Sequence, residues 1–121
     1  MATGLTTTAA DELLGELASK YVYIQLHDDD PGASGTSNVA TENTRKQVTW
    51  DSPDGGSMDS ASDLEWTNVA GSETYSHFSA WSAASSGDCG FTGTITANAV
   101  TAGDTFRIAA GGLTVSLTTA S

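Results

Sequence analysis

The sequence predicts a mainly β protein: a single-domain antiparallel β-sandwich or jelly-roll-like barrel with a short N-terminal α-helix. Its 121 residues supply enough apolar surface for one core. After residue 20, short segments alternate between apolar and polar residues and are separated by turn residues, which is the pattern of strands. The 13 glycines against 2 prolines also favour strands joined by tight turns. We therefore expect an N-terminal arm and helix at 1–20 and a β-sandwich domain at 21–121.

The first segment carries the pattern of a short amphipathic helix. Thr8, followed three residues later by Asp11, predicts the helix start, because this spacing matches a capping box. Leu13, Leu14 and Leu17 fall on one helical face. Such a face either covers the protein's own core, which is the commoner case, or docks as an arm on a neighbouring subunit.

The next segment reads as a strand, a turn and a loop. Residues 21–26 alternate between apolar and polar, which predicts the strand. Pro31 and Gly32 then impose a turn. Residues 33–44 are polar and have no period, so we expect an exposed loop. Loops held by a rigid scaffold commonly carry recognition, which makes this loop a candidate contact region.

Further strands are predicted along the rest of the chain. Apolar residues occupy both faces of 75–82, which predicts a central strand. Between the strands, 57–63 is polar and is predicted to be a loop. The last part, 102–117, has Gly111-Gly112 between two apolar runs and predicts a hairpin. The remaining predicted strands are 46–50, 64–69 and 91–97, the last with Thr92, Thr94 and Thr96 facing solvent or a partner.

The charge balance restricts the classes of partner. Fifteen Asp and Glu against four Lys and Arg give a formal net charge of −11. Such a surface repels phosphates, so we expect no nucleic-acid partner and no binding to anionic membranes. The sequence has no apolar run of transmembrane length, and its opening lacks the basic and apolar regions of a signal peptide. We therefore expect a protein made in the cytoplasm.

The acidic turn contains the best candidates for metal ligands, which are His27, Asp28 and Asp30. An imidazole and carboxylates bind divalent cations when they converge. Neighbouring side chains in a strand-to-turn segment point to opposite sides, however, and the spacing differs from that of a calcium loop. We therefore expect a solvated acidic turn and no bound metal or cofactor. A cation site that bridges subunits is the alternative.

Catalytic motifs are missing from the sequence. It has no Gly-x-Ser-x-Gly elbow and no phosphate-binding glycine loop, and its single cysteine, Cys89, has no partner for a disulfide. We therefore expect a protein that is not an enzyme. The alternative is a carbohydrate-binding or hydrolytic domain in which aromatic rings stack on sugars. The candidate rings are Trp50, Trp66, Trp81, Tyr21, Tyr23 and Tyr75. Tryptophans more commonly fill cores and subunit interfaces.

Five short segments occur in a characteristic order along the chain: VYIQLHDDDPG at 22–32, RKQVTW at 45–50, YSHF at 75–78, AGDTF at 102–106 and GLTV at 112–115. Together they resemble a family of small phage virion proteins, described as tail-fibre, minor structural or head decoration proteins and found in phages of actinobacteria and other hosts. The likeness covers most of the chain after Tyr21 and implies a structural role in the virion without catalysis.

Within that resemblance we expect a capsid decoration protein, because a small domain without fibrous repeats suits a knob better than a shaft. It would be assembled in the host cytoplasm, lie on the virion surface as a homo-oligomer such as a trimer, and bind the major capsid protein or other virion proteins. The alternative is a tail-fibre or minor tail protein whose loops at 33–44 and 57–63 face the host. The expected contact residues are Leu13, Leu17, Tyr21, Tyr23 and Trp50.

Overall fold

The computed structural model describes residues 4–117 and 119. It confirms the mainly β class, the antiparallel strand pairing and the N-terminal helix. The described strands form a four-stranded sheet and two two-stranded sheets around one hydrophobic core. The elements are α1 Thr7–Lys20, β1 Tyr23–His27, β2 Lys46–Gln47, β3 Ser57–Asp59, β4 Leu64–Trp66, β5 Glu73–Trp81, β6 Cys89–Val100, β7 Phe106–Ile108 and β8 Thr114–Ser116.

The four-stranded sheet has the order β2-β1-β5-β6, and all its neighbours are antiparallel. The prediction that the strand within 75–82 is central is confirmed, because β5 lies between β1 and β6. Ile24 and Leu26 of β1 lie opposite Ala80 and Phe78 of β5. All four side chains are buried, so this face of the sheet packs on the core.

The predicted hairpin at 102–117 is wrong. Its two strands pair with different partners, β7 with β4 and β8 with β3. The connection between them is held by earlier residues: Ala110 donates its N–H to the Asp63 carboxylate, and Gly111 donates its N–H to the Ser60 carbonyl. These hydrogen bonds fix the path of the chain between the two small sheets, so β7 and β8 do not pair with each other.

The helix begins earlier than predicted. Thr6 caps it by accepting a hydrogen bond from the N–H of Ala9 at 3.2 Å, and Thr8 lies inside the first turn. The expected capping box at Thr8 and Asp11 is therefore wrong. The Asp11 carboxylate instead accepts the N–H of Gly56, which ties the helix to the turn before β3.

The helix covers the core of its own chain, as expected for the commoner of the two alternatives. Ala10 and Leu14 are fully buried, and Leu17 packs against the core while partly exposed. Leu13 lies on the outside and is 49% exposed.

Two segments between the sheets also differ from the predictions. The predicted loop at 57–63 begins with β3, because Met58 is buried and draws this short polar segment against the core. The predicted strand at 46–50 is shortened to β2. Trp50, at its end, forms only an isolated bridge to Ser60.

Candidate interaction surface

The second face of the four-stranded sheet, which we call the polar face, is also buried. The strand register places Gln25 and His27 of β1 on this face, opposite Ser79 and His77 of β5, with Trp81 beside them. Gln25, His27, Ser79 and Trp81 are at most 8% exposed. A sheet buried on both faces needs a covering element on each side.

The covering element is the segment of residues 28–45, which we call the flap. Gly35 lies so close to the sheet that a β-carbon there would come within 2.5 Å of the Cys89 sulfur and 3.6 Å of the Ser79 β-carbon. Its φ of +73° lies in the left-handed region, which glycine adopts without strain. This glycine allows the flap backbone to rest directly on the polar face.

A closed chain of hydrogen bonds joins the flap to the polar face. His27 Nδ1 lies 2.8 Å from the Ser37 carbonyl oxygen and must donate to it. In the neutral ring, His27 Nε2 then accepts the hydroxyl proton of Ser79 at 2.7 Å. The Ser79 oxygen in turn accepts the Trp81 indole N–H at 2.6 Å. Every polar atom of this buried chain has a partner, as burial requires.

This arrangement requires a neutral imidazole at His27. Burial lowers the pKa of His27, although the hydrogen bonds of its neighbours Ser37 and Asn38 and the charge of Asp28 oppose the shift. A protonated ring could not accept the Ser79 hydroxyl proton. The histidine therefore serves as a fixed structural bridge between sheet and flap.

Two charged side chains hold the far part of the flap. The Glu73 carboxylate accepts the N–H groups of Thr41 and Glu42 at 2.8 and 3.1 Å. Arg45 stacks on the Trp81 ring, 4.1 Å from its centroid, and donates to the carbonyls of Ala83 and Ser86 in the loop after β5. The predicted exposed loop at 33–44 is therefore pinned to the sheet, although most of its side chains face solvent.

The candidate metal ligands are not brought together. Both ring nitrogens of His27 are engaged by serines, whereas Asp28 and Asp30 are exposed. Asp30 caps the turn by accepting the N–H of Gly32. Among the described residues, no group of three His, Cys, Asp or Glu side chains is placed to hold a metal ion.

Two of the expected contact residues meet in one aromatic cluster. Tyr21 and Trp50 both contact Phe91 of β6, with ring centroids 6.2 and 5.8 Å apart, and the Trp50 indole donates to the Tyr21 carbonyl. Trp50 is only 9% exposed, whereas Tyr21 and Tyr23 are half-buried. Leu13 and Leu17 lie on α1. Contacts of all five residues with a partner protein stay a prediction.

The most open backbone in the described sheet is β6. This strand of twelve residues is the last of the four-stranded sheet, and among residues 4–117 its only paired neighbour is β5. We call its unpaired side the free edge. Thr92, Thr94 and Thr96 are exposed, as expected, while Phe91 and Ile95 are half-buried against the core. The alternation of the threonines predicted their exposure. The free edge was not predicted, because the order of strands in a sheet depends on segments that are distant in sequence.

A groove of about 210 Å³ lies beside the second half of β6. Ile95 and Asn98 line one side, and Phe106 and Ile108 of β7 line the other. Because Ile95, Thr96 and Asn98 of β6 line this groove, the groove adjoins the strand that carries the free edge.

Within the residues described, no helix is both long enough and apolar enough to cross a membrane.

Comparison with known proteins assigns the chain to a family. No curated protein sequence matches the chain. The family model described as Podophage GP4 fiber I protein gp80 matches residues 4–116. Because this match spans nearly all of the 121 residues, the chain belongs to that family and is a structural component of a bacteriophage virion, of the tail-fibre type.

Proposed function

We propose that the chain is a non-enzymatic subunit of a phage tail fibre and that it works through contacts with other virion proteins. The observation that carries this proposal is the family match over residues 4–116, since the family is described by a fibre protein. An interaction role is also supported by the free edge of β6 and the groove beside it.

The polar face supports the non-enzymatic part of the proposal. His27 and Ser79 lie at hydrogen-bond distance, as a general base and a nucleophile would. Ser79 is fully buried, however, and its oxygen already accepts the Trp81 indole N–H. A hydroxyl in this position cannot reach a substrate, so the pair is expected to serve stability.

Exposed side chains of the flap are the proposed contact region for the host surface. The flap is held at His27, Glu73 and Arg45, so its outer residues are presented in a defined position. Recognition loops commonly combine a rigid base with variable outer side chains. Capsid decoration stays a prediction, and the family description favours the fibre instead.

The decisive experiment locates the protein on purified particles. Gold-labelled antibodies viewed by electron microscopy are expected to mark the fibres. Phage that lacks the gene is expected to keep heat-stable heads and to lose adsorption to host cells, and the gene supplied in trans should restore adsorption. Label on the head, together with heat-sensitive particles that adsorb normally, would instead establish the decoration role.

A further inference from the structure

We propose that β6 pairs in antiparallel fashion with β6 of a second copy of this chain, so that the four-stranded sheet continues across a two-fold axis. The pairing concerns two isolated chains and does not depend on where in the virion they lie. Such pairing would give this acidic domain a way to associate with itself.

The free edge is the first argument. β6 is the longest strand described, and within residues 4–117 no strand pairs with its outer side. Backbone N–H and C=O groups on such a side are a template for another strand. Proteins usually protect such edges with charges, prolines or short strands. The opposite end of the sheet has this protection, because β2 has two residues and includes Lys46. The twelve residues of β6 include no charged residue and no proline. The register of β6 with β5 shifts on both sides of residues 91–94, so the regular part of the free edge is this short stretch, which contains Gly93.

The charge of the chain is the second argument for a second copy. Two molecules that each carry a net charge of −11 repel each other over most of their surfaces. They can approach most closely where both are neutral, and Cys89–Val100 is a neutral stretch that also has seven exposed residues. A basic partner would instead be expected to meet an acidic surface. The neutral edge therefore fits a like molecule.

Self-complementarity is the third argument, and it suggests the register. An antiparallel pair centred on Gly93 places Thr92 opposite Thr94 of the other copy, and Phe91 opposite Ile95. Each pair occurs twice because the axis is two-fold. Threonine pairs and aromatic–β-branched pairs are favourable across strands. The half-buried Phe91 and Ile95 would gain cover in the dimer.

Charged substitutions at the free edge test the pairing. In the variant Thr92→Asp/Thr94→Asp, the proposed register sets carboxylates directly opposite each other, which is destabilising. We expect sedimentation to show a concentration-dependent dimer for the wild type and an increase in Kd of about tenfold or more for this variant. The matched control is Thr49→Asp/Thr67→Asp, which changes the net charge equally at exposed sites outside β6 and should dimerise like the wild type.

A mixing experiment separates loss of pairing from loss of folding. The variant Thr92→Lys/Thr94→Lys should also be monomeric alone, but an equimolar mixture with the aspartate variant should form a heterodimer. A wild type that remains monomeric at every accessible concentration would overturn the proposal. A different virion protein would then be the candidate partner for the free edge. An oligomer that forms equally well with aspartates at 92 and 94 would overturn it too.

Discussion

At the scale of single residues, the protonation state of His27 affects how firmly the flap is held on the polar face. The neutral ring donates to the Ser37 carbonyl and accepts the Ser79 hydroxyl proton, whereas a protonated ring would leave that buried hydroxyl proton without its acceptor. Burial lowers the pKa of His27 below its usual value of 6.5. The unfolded chain therefore binds a proton at a higher pH than the folded chain does.

This difference predicts a pH-dependent stability. As the pH falls below about 6.5, His27 binds a proton in the unfolded state but stays neutral in the folded state, so the free energy of unfolding decreases. Urea denaturation at pH 7.5 and at pH 5.5 measures the change. The substitution His27→Phe should remove this dependence and destabilise the protein by about 1–3 kcal/mol, because Ser79 loses its acceptor.

The matched control is His77→Gln, which leaves the hydrogen bonds between His27, Ser37 and Ser79 in place. This variant should keep the loss of stability at low pH. If His27→Phe and the wild type respond equally to pH, the neutral ring is not what holds the flap.

Tyr75 allows a second test at this scale. Its ring packs against Phe106, with centroids 4.9 Å apart, and its hydroxyl is buried without a hydrogen-bond partner in the described structure. Burial raises the pKa of Tyr75 to about 12, and the charges of Glu73 and Glu42 add to the shift. The phenol therefore stays protonated at neutral pH.

Removal of this hydroxyl should not harm the fold. We expect Tyr75→Phe to leave the free energy of unfolding unchanged or to increase it by about 1 kcal/mol, because a buried polar group without a partner is costly. Trp66→Phe is the contrasting variant, since it removes the indole N–H that donates to the Thr44 carbonyl. Thermal denaturation compares the two. A marked loss of stability in Tyr75→Phe would reveal a partner for the hydroxyl.

At the scale of elements, the flap depends on Glu73 for its second attachment. The substitution Glu73→Ala removes the acceptor for the Thr41 and Glu42 N–H groups. These amides should then exchange with deuterium at least about fivefold faster, which corresponds to roughly 1 kcal/mol in local opening. Glu12→Ala, at an exposed site on α1, should leave their exchange unchanged. Equal protection in both variants would mean that packing alone holds the flap.

Two glycines in different elements should respond oppositely to alanine. A β-carbon on Gly93 of β6 would lie 2.6 Å from the ring of the buried Phe78, so Gly93→Ala should destabilise the protein by about 1–3 kcal/mol. Gly15 of α1 has open space around it, and Gly15→Ala should stabilise by about 0.5–1 kcal/mol through helix propensity. Chemical denaturation measures both. A neutral Gly93→Ala would show that Phe78 can move aside.

At the scale of the whole molecule, net charge should control self-association. Two copies at −11 each repel, and salt screens the repulsion. If the copies pair through the neutral β6, raising the ionic strength from about 0.05 M to about 0.5 M should tighten the dimer. Sedimentation at both salt concentrations measures the change. Weaker association at high salt would instead indicate an interface held by opposite charges.

The positions of individual strands could be predicted from the alternation of apolar and polar residues over a few neighbouring positions. Alternation along 21–26 and 75–82 identified β1 and β5, and the apolar side with Ile24 and Leu26 does pack on the core. Turn residues also separated the strands correctly in most places. These features need only a few neighbouring residues, so the sequence was enough.

Pairing between distant segments could not be predicted in the same way. The expected hairpin at 102–117 fails because Phe106 pairs with Trp66 and Val115 pairs with Met58, far away along the chain. The burial of His27 depends equally on the flap that folds back over it. The free edge of β6 follows from the order of four strands, although its uncharged sequence was a readable signal.

The attachment of the flap at both ends also bears on how the protein could diversify. Its attachment depends on Gly35, on the Thr41 and Glu42 amides that Glu73 binds, and on the Arg45 side chain, which donates to the loop after β5. Ser34 and Asn43, by contrast, are exposed. Outward positions of this kind can mutate freely at little thermodynamic penalty. If the flap contacts the host surface as proposed, a phage could therefore change these side chains in many combinations while the fold stays the same.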